Sequence, residues 1–454
     1  MHEAEGRPET MTDETFGELS GWGRYPVVRG RQRHSDNLEH STDGAVLSRG
    51  LGRSYGDASL PPPGDHTVAV TTRADRLLSF DEDTGVLRAQ AGLSLSKLNR
   101  RLLPRGWFPP CSPGTESVTL GGMVAADVHG KGHHREGCFG EHVIGLRIRV
   151  ADGRILEISD AVEPELFRAT LGGMGLTGHI LEVEFRMRPA ASPWILAESE
   201  RFGDLDALVE SLRRDSQRWP FTFAWVDAFS RGKSRGRGIV DRGRWADPSE
   251  VPAKPPAPRM TISVPPVFPN WFLSATAVTA FNVMLYRAHG RRVHRGIVHP
   301  RSFFYPVDCF AHWNRLYGRR GFTQYQAVLP LQSGRPGYHR VFEIVEEMGA
   351  APFLCVMKDF TAEGKGMLSF PKEGLSIVFD MPICERTQLA VDALNEFIGG
   401  EGGRVYLAKD ALTRAAHFRA MEPRLDDWLK VRRKWDPSGV LRSALSVRLF
   451  GDPS

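Results

Sequence analysis

Three glycine-rich loops crowd the first 180 residues and limit what this chain can become: SRGLGRSYGDAS (48–59), PGTESVTLGGMVAADVHGKGHH (113–134) and LGGMGLTGHI (171–180). In the first, Gly50, Gly52 and Gly56 stand among Arg49, Arg53, Ser54 and Tyr55. Glycine lets the backbone take positive φ and approach a ligand closely, and successive N–H groups in such a turn form a nest for an anion. The second loop adds Gly114, Gly121 and Gly122, and hydroxyls from Thr115, Ser117 and Thr119. Its run of small residues from Met123 to Val128 admits something flat and large. The third contributes Gly172, Gly173, Gly175 and Gly178. One such loop is an ordinary turn; three in one region predict a large nucleotide-type cofactor. The first loop is neither a G-x-G-x-x-G fingerprint nor a G-K-[ST] phosphate loop.

A chain of 454 residues with 41% hydrophobic and 25% charged residues folds as two or three globular units. Its net charge of +5 is mostly interspersed, with one dense basic run from Arg287 to Arg301, so nucleic-acid binding is not predicted. Cys111, Cys138, Cys309, Cys355 and Cys384 form no C-x-x-C pair, which argues against structural zinc and a disulfide framework. His129, His133 and His134 lack the carboxylates that would complete a metal site. The N-terminus, MHEAEGRPETMTDE, lacks the layout of a secretory signal, and Met11 is an alternative start. No run of about 18 apolar residues predicts a membrane-spanning helix. A cytoplasmic protein, or one peripheral to the inner membrane, is expected, with the periplasmic side left open.

Along the chain, 1–19 reads as a loose tail. HTVAVTT is a compact apolar run, and GVLRAQAGLSLSKLNRRLL reads as a strand leading into a helix with Leu95, Leu98 and Leu102 on one face. VIGLRIRVADGRILEIS alternates on both sides of Asp152-Gly153, a hairpin signal. Composition shifts after Pro193. A helix is expected near Leu205–Arg213, and the proline-rich VPAKPPAPRMTISVPPVFP reads as a long surface loop. Residues 324–400 read as strand, helix, strand, strand, helix, and the C-terminal part as a short strand followed by helices.

These motifs carry a resemblance. RGLGRSYGD, PGT…TLGGMVAADVHGKGHH, GCFGEHV, ATLGGMGLTG and YLAKD are similar to the FAD-linked oxidases of the vanillyl-alcohol oxidase type. VFPN, LSFP, FDMP and MEPRLDDWLKVRRKWDP extend it, more closely, to the flavoprotein subunits of decaprenylphosphoryl-β-D-ribose 2′-epimerases. The resemblance covers nearly all of the chain after about residue 20. It implies an α+β fold: a two-subdomain FAD-binding domain (20–195, completed by 400–454) and a substrate domain with an antiparallel sheet (196–399). It implies that Arg49, Gly50, Leu51, Gly52, Arg53, Ser54, Tyr55, Gly56, Asp57 and Ala58, with Gly114, Thr119, Leu120, Gly121 and Gly122, cradle the diphosphate and ribityl chain. Ala126, Asp127, Val128 and His129 line the flavin, and Ile180 and Tyr406 close the site. FAD is expected to be bound non-covalently.

The cofactor carries the hydride chemistry, so the protein must place a sugar hydroxyl and handle its proton. Lys409 is the first candidate, as a base if burial lowers its pKa or simply as an orienting group; Tyr406 and His129 are the other candidates at the reacting centre. Matched positions on the substrate side are Trp225, Gln324, Gln326, Lys358, Phe360 and Val378. Gln324 and Gln326 lie two apart on one strand and share a face. Lys358 is a candidate for meeting a phosphate. Val378 stands where close relatives often carry cysteine, which alters pocket shape and thiol reactivity rather than hydride chemistry. The apolar stretch Phe272–Tyr286 reads as a core helix or, beside the basic run, as a membrane-docking element.

The resemblance implies oxidation of the ribose 2′-hydroxyl of a polyprenylphosphoryl-β-D-ribose to the 2′-keto sugar. An NAD(P)-dependent short-chain reductase would then complete epimerisation to the arabinose form used in cell-wall arabinan synthesis. The competing readings are an oxidase of a soluble alditol or aldonolactone and a non-catalytic flavin-binding protein.

Overall fold

The computed structural model describes residues 12–266 and 273–454. VFPN and the start of the apolar stretch at Phe272 lie outside the described residues, as does Met11. A small sheet is ordered β1 (Asp13–Ser20), β2 (Val27–His34), β4 (Thr67–Val70), β3 (Leu47–Arg49). The expected tail is therefore partly corrected: from Asp13 onward it pairs antiparallel with β2, Asp13 against His34 through Ser20 against Val27. Leu19, buried against Val46, Leu47, Leu60 and Val68, anchors it. The first glycine loop leaves the end of β3.

A second sheet is ordered β5 (Leu77–Phe80), β6 (Val86–Gln90), β10 (His179–Arg186), β8 (Val143–Arg149), β9 (Ile155–Ser159). β8 and β9 form the hairpin that Asp152-Gly153 announced, with Gly153 at φ +89°. The helix Leu95–Leu102 starts where the Ser94 hydroxyl accepts from the Lys97 N–H, and it buries Leu95, Leu98 and Leu102. The short strands β7 (Trp107–Phe108) and β11 (Arg188–Pro189) pair with each other.

The largest sheet has eight strands, ordered β16 (His294–Val298), β12 (Ile195–Phe202), β14 (Gly238–Trp245), β13 (Phe221–Val226), β19 (Leu354–Phe360), β20 (Gly374–Pro382), β18 (Phe322–Pro330), β21 (Arg404–Val405). All its pairings are antiparallel. The two-residue strand period separates its faces. Ala224, Val226, Tyr325, Ala327, Cys355, Met357, Ile377 and Phe379 pack into one core with residues of the helices Leu205–Ser216, Gly334–Glu347 and Glu385–Gly400. The alternate positions turn the other way, toward the glycine loops.

The proline-rich stretch is irregular apart from β15 (Ile262–Ser263), which pairs in parallel with β17 (Phe310–Ala311). The helix Ala275–Ala288 is not the core helix its composition suggests. It buries Val278 and Asn282, the latter held by the Asp227 carboxylate, and leaves Met284 60% and Phe281 40% exposed.

Candidate active site

A cavity of about 540 Å³ lies between the glycine loops and the inner face of the large sheet. From the first loop come Gly50, Leu51, Gly52, Arg53, Ser54, Tyr55 and Ala58. The second supplies Gly114, Thr119, Gly122, Ala126, Val128 and His129. The sheet supplies Gln324, Gln326, Lys358 and Val378, and the segment after β21 supplies Tyr406 and Lys409. Residues expected from distant parts of the sequence thus share one cavity.

Other predicted positions support the wall without lining it. Arg49 braces the first loop through the carbonyls of Ser20 (2.6 Å) and Ser59 (3.0 Å). Gly56 lies against the Asp410 carbonyl, where a Cβ would collide at 1.9 Å. Asp57 is ion-paired with Arg448 at 2.8 Å. Leu120 and Ile180 are buried in the core, and Gly121 packs on Ala91. Asp127, at φ +38°, is buried; its carboxylate accepts from the Gly140 N–H at 2.7 Å and from the Ser369 hydroxyl, and burial pushes it up to about 6. Phe360 backs the wall by packing on His129 and His133. Trp225 shares the cavity face of β13 with Phe223, yet only Phe223 reaches the cavity.

The first loop fits an anionic cofactor. The N–H groups of Leu51, Gly52, Arg53 and Ser54 find no acceptor among the described residues. A Cβ on Gly50 would meet Thr119 Oγ1 at 2.2 Å, so only glycine lets the two loops approach this closely. Unpaired donors facing a cavity are what a diphosphate requires.

His129 is packed among the rings of Phe360, Phe370 and Tyr406, with centroids 4.9–5.4 Å away. The Gln326 amide donates to His129 Nε2 at 2.8 Å and to Ser376 Oγ at 3.0 Å. Nε2 therefore accepts, and the ring is neutral with its proton on Nδ1. Burial first, then the nearby Lys358, pushes this histidine far below its ordinary range. Tyr406 donates to the Ala126 carbonyl at 2.9 Å, tying the return segment to the second loop.

Lys409 holds its ammonium 3.9 Å from the centre of the Tyr55 ring. Burial lowers its pKa, and the field of Asp380 opposes the shift. Burial in turn raises Asp380, whose carboxylate accepts from the Gln324 amide. Lys358 is pushed down to about 8 by burial.

Sequence reasoning missed Asp380 and Lys131. Asp380 falls on the cavity-facing parity of GLSIVFDMP, and a carboxylate inside a buried apolar strand was the available signal. Lys131, between Gly130 and Gly132, read as a loop residue, but it lines the cavity with its ammonium 3.6 Å from the centre of the Phe223 ring.

The chain is 34% identical to the decaprenylphosphoryl-β-D-ribose oxidase of Mycolicibacterium smegmatis, over 96% of this chain and 98% of that one. It belongs to that oxidase family. A family model described as an FAD binding domain matches residues 38–159, which contain the first two glycine loops. Similarity extends at 22% identity over 89% of this chain to an L-gulono-1,4-lactone dehydrogenase of Mycobacterium tuberculosis, covering 90% of it. It extends at 28% identity over 39% of this chain to the L-gulonolactone oxidase of Scyliorhinus torazame, covering 39% of it. The chain is an FAD-dependent oxidoreductase of the vanillyl-alcohol oxidase type with an α+β fold.

Thr261 and Phe310 also line the cavity, and beside Thr261 the side chains of Met260 and Ile262 are 86% and 62% exposed. From Val251 to Val307 the sequence holds no Asp or Glu, against seven cations: Lys254, Arg259, Arg287, Arg291, Arg292, Arg295 and Arg301. That local charge exceeds the +5 of the whole chain. No helix among the described residues is long and apolar enough to cross a membrane.

Proposed function

We propose that this protein oxidises the 2′-hydroxyl of a polyprenylphosphoryl-β-D-ribose to the 2′-keto sugar, the first half of an epimerisation to the arabinose form used in cell-wall arabinan synthesis. The near full-length similarity to the M. smegmatis oxidase supports the substrate class. The observation that carries the chemistry is the polar group Gln324, Gln326, Lys358 and Lys409 on the walls of one cavity. Non-covalently bound FAD, held by residues 20–195 and 400–454, supplies the acceptor for the sugar's hydride. Lys409, biased by burial toward its neutral form, accepts the hydroxyl proton. Gln324 and Gln326, two apart on β18, orient the sugar hydroxyls from the substrate domain, 196–399. Neutral His129 and Tyr406 pack beside the reacting centre and exclude water.

The acid-free segment and its exposed apolar side chains suit an anionic bilayer, from which a lipid-linked sugar would enter. A nicotinamide-dependent short-chain reductase is the partner that the keto product requires.

The test is the anaerobic visible spectrum of the purified protein before and after adding a short-chain polyprenylphosphoryl-ribose. Bleaching of the flavin band is the expected result. A band unchanged by that compound but bleached by an alditol or aldonolactone would overturn the substrate assignment and retain the cofactor.

A further inference from the structure

Asp127 is a buried carboxylate that the proposed reaction does not use. Ala126, Val128 and His129 around it line the cavity, while its own side chain is packed behind the wall. Its backbone is left-handed, at φ +38°, a conformation that side-chain-bearing residues adopt chiefly as Asp or Asn. Such strain persists only where the surroundings impose it, and it gathers at functional sites. The turn ends the short helix Leu120–Ala125: the Asp127 N–H donates to the Val124 carbonyl and the Val128 N–H to the Met123 carbonyl, both at 3.0 Å.

The surroundings are built for this carboxylate. The Gly140 N–H donates to Oδ1 at 2.7 Å, the Ser369 hydroxyl donates to Oδ2, and the Cys138 thiol is a third donor. Three glycines make room for it. A Cβ on Gly140 would meet Oδ1 at 2.7 Å, one on Gly364 would meet Oδ2 at 2.8 Å, and one on Gly172 would meet Asp127 Cβ at 3.4 Å. Gly140 belongs to GCFGEHV and Gly172 to the third glycine loop, and neither lines the cavity. Both motifs therefore serve the Asp127 side chain. Ser369 carries the contact onward. Its carbonyl accepts from Arg404 at 3.2 Å and from Arg424 at 2.9 Å. The next residue, Phe370, stacks on Tyr406 with centroids 5.0 Å apart and packs on His129 at 5.4 Å. Ser369 and Phe370 thus grip Asp127 and His129, two residues apart on the second loop.

We propose that Asp127 is a positioning residue: its carboxylate holds the left-handed turn that presents Val128 and His129 to the cofactor cavity, and through Ser369 it sets that wall and the segment 368–370 as one unit. The proposal rests on the FAD assignment and not on the choice of sugar.

The test compares holoenzymes of wild type, Asp127→Asn, Asp127→Ala and Ser369→Ala. Visible circular dichroism of the bound flavin reads the asymmetry of its surroundings without turnover. Asparagine tolerates the turn, still accepts from Gly140 and donates to the Ser369 oxygen, so Asp127→Asn should keep the wild-type bands. Asp127→Ala loses all three bonds; its bands should change, and FAD should bind about tenfold more weakly or worse. Ser369→Ala keeps the carboxylate and two of its donors, so it should show the same band change in smaller degree, and it decides the matter if Asp127→Ala does not fold. With a short-chain polyprenylphosphoryl-ribose at saturation, flavin reduction in Ser369→Ala should slow about tenfold while KM stays within about twofold. Wild-type flavin bands in Ser369→Ala, an Asp127→Asn variant as altered as Asp127→Ala, or a loss confined to KM overturns the proposal. The dichroism needs no substrate, so it stands apart from any failure of the proposed reaction.

Discussion

Gln324 and Asp380 stand opposite each other on β18 and β20, and the Gln324 amide donates to the fully buried carboxylate. The other carboxylate oxygen has no partner among the described residues. Burial raises Asp380 and lowers Lys409, and each opposes the shift of the other. The charge of each therefore biases the protonation of the other, and Asp380 in its charged form favours the ammonium of Lys409.

Lys409→Ala should therefore slow anaerobic flavin reduction by about 100-fold or more while leaving FAD content near wild type. Near-normal reduction would remove Lys409 from the reaction. Asp380→Asn should act through pH. The carboxylate raises the pKa of Lys409, so its loss lowers that pKa and keeps the base form available to lower pH. The acid limb of the kcat/KM profile should move down; an unmoved limb would mean that Asp380 does not set it.

Two buried histidines make stability depend on acid. His179 is held near 4 by burial, with Nδ1 2.8 Å from the Ser48 hydroxyl and Nε2 3.1 Å from the Ala45 carbonyl. His133 is held near 3, again by burial first. Both lie below the ordinary 6.5, so the unfolded chain binds more protons in the interval. Their stabilisation is complete above about 6.5 and is lost as pH falls toward 4 and then 3, on the order of 3 kcal/mol for His179 and 5 kcal/mol for His133. Urea midpoints measured from pH 8 to pH 4.5 should fall steadily below 6.5; a flat profile would contradict the buried neutral state.

Arg448 holds two separate stretches together. It meets both oxygens of Asp57 at 2.8 Å and Asp410 at 2.8 Å. Arg448→Met leaves two buried carboxylates uncompensated, a loss of about 3–5 kcal/mol. The denaturation midpoint should drop accordingly, with weaker FAD retention because Asp410 adjoins Lys409. A midpoint within error of wild type would refute the role.

Acid precipitation should release free FAD into the supernatant. Yellow colour or flavin fluorescence retained on the washed pellet would demonstrate a covalent link.

Vesicles of phosphatidylcholine with phosphatidylglycerol should float the protein at low salt, and phosphatidylcholine alone should not. Arg291→Glu with Arg292→Glu should weaken flotation, as should high salt. Salt-insensitive or absent binding would argue against a membrane-facing segment.

Much of the fold was legible because periodicity records it: Leu95, Leu98 and Leu102 marked a helix, and Asp152-Gly153 marked a hairpin. The glycine loops and the TQYQ strand pointed to the cavity. Composition misled at two places. The polar residues from Asp13 pair as an edge strand through backbone bonds that composition does not encode. The apolar helix Ala275–Ala288 turns its polar Asn282 inward because Asp227 waits there. Lys131 and Asp380 stayed hidden because their surroundings depend on strand pairing between residues far apart in sequence. Asp57 looked like a cofactor contact because it sits in the glycine loop, but its partner is 391 residues away.

That span sets an order of events during synthesis. The first glycine loop leaves the ribosome long before Tyr406, Lys409 and Arg448 exist to complete its surroundings. Until they emerge, the cavity lacks the wall that Tyr406 and Lys409 supply, and Asp57 has no Arg448 to meet. The last fifty residues therefore finish a pocket that the first sixty begin.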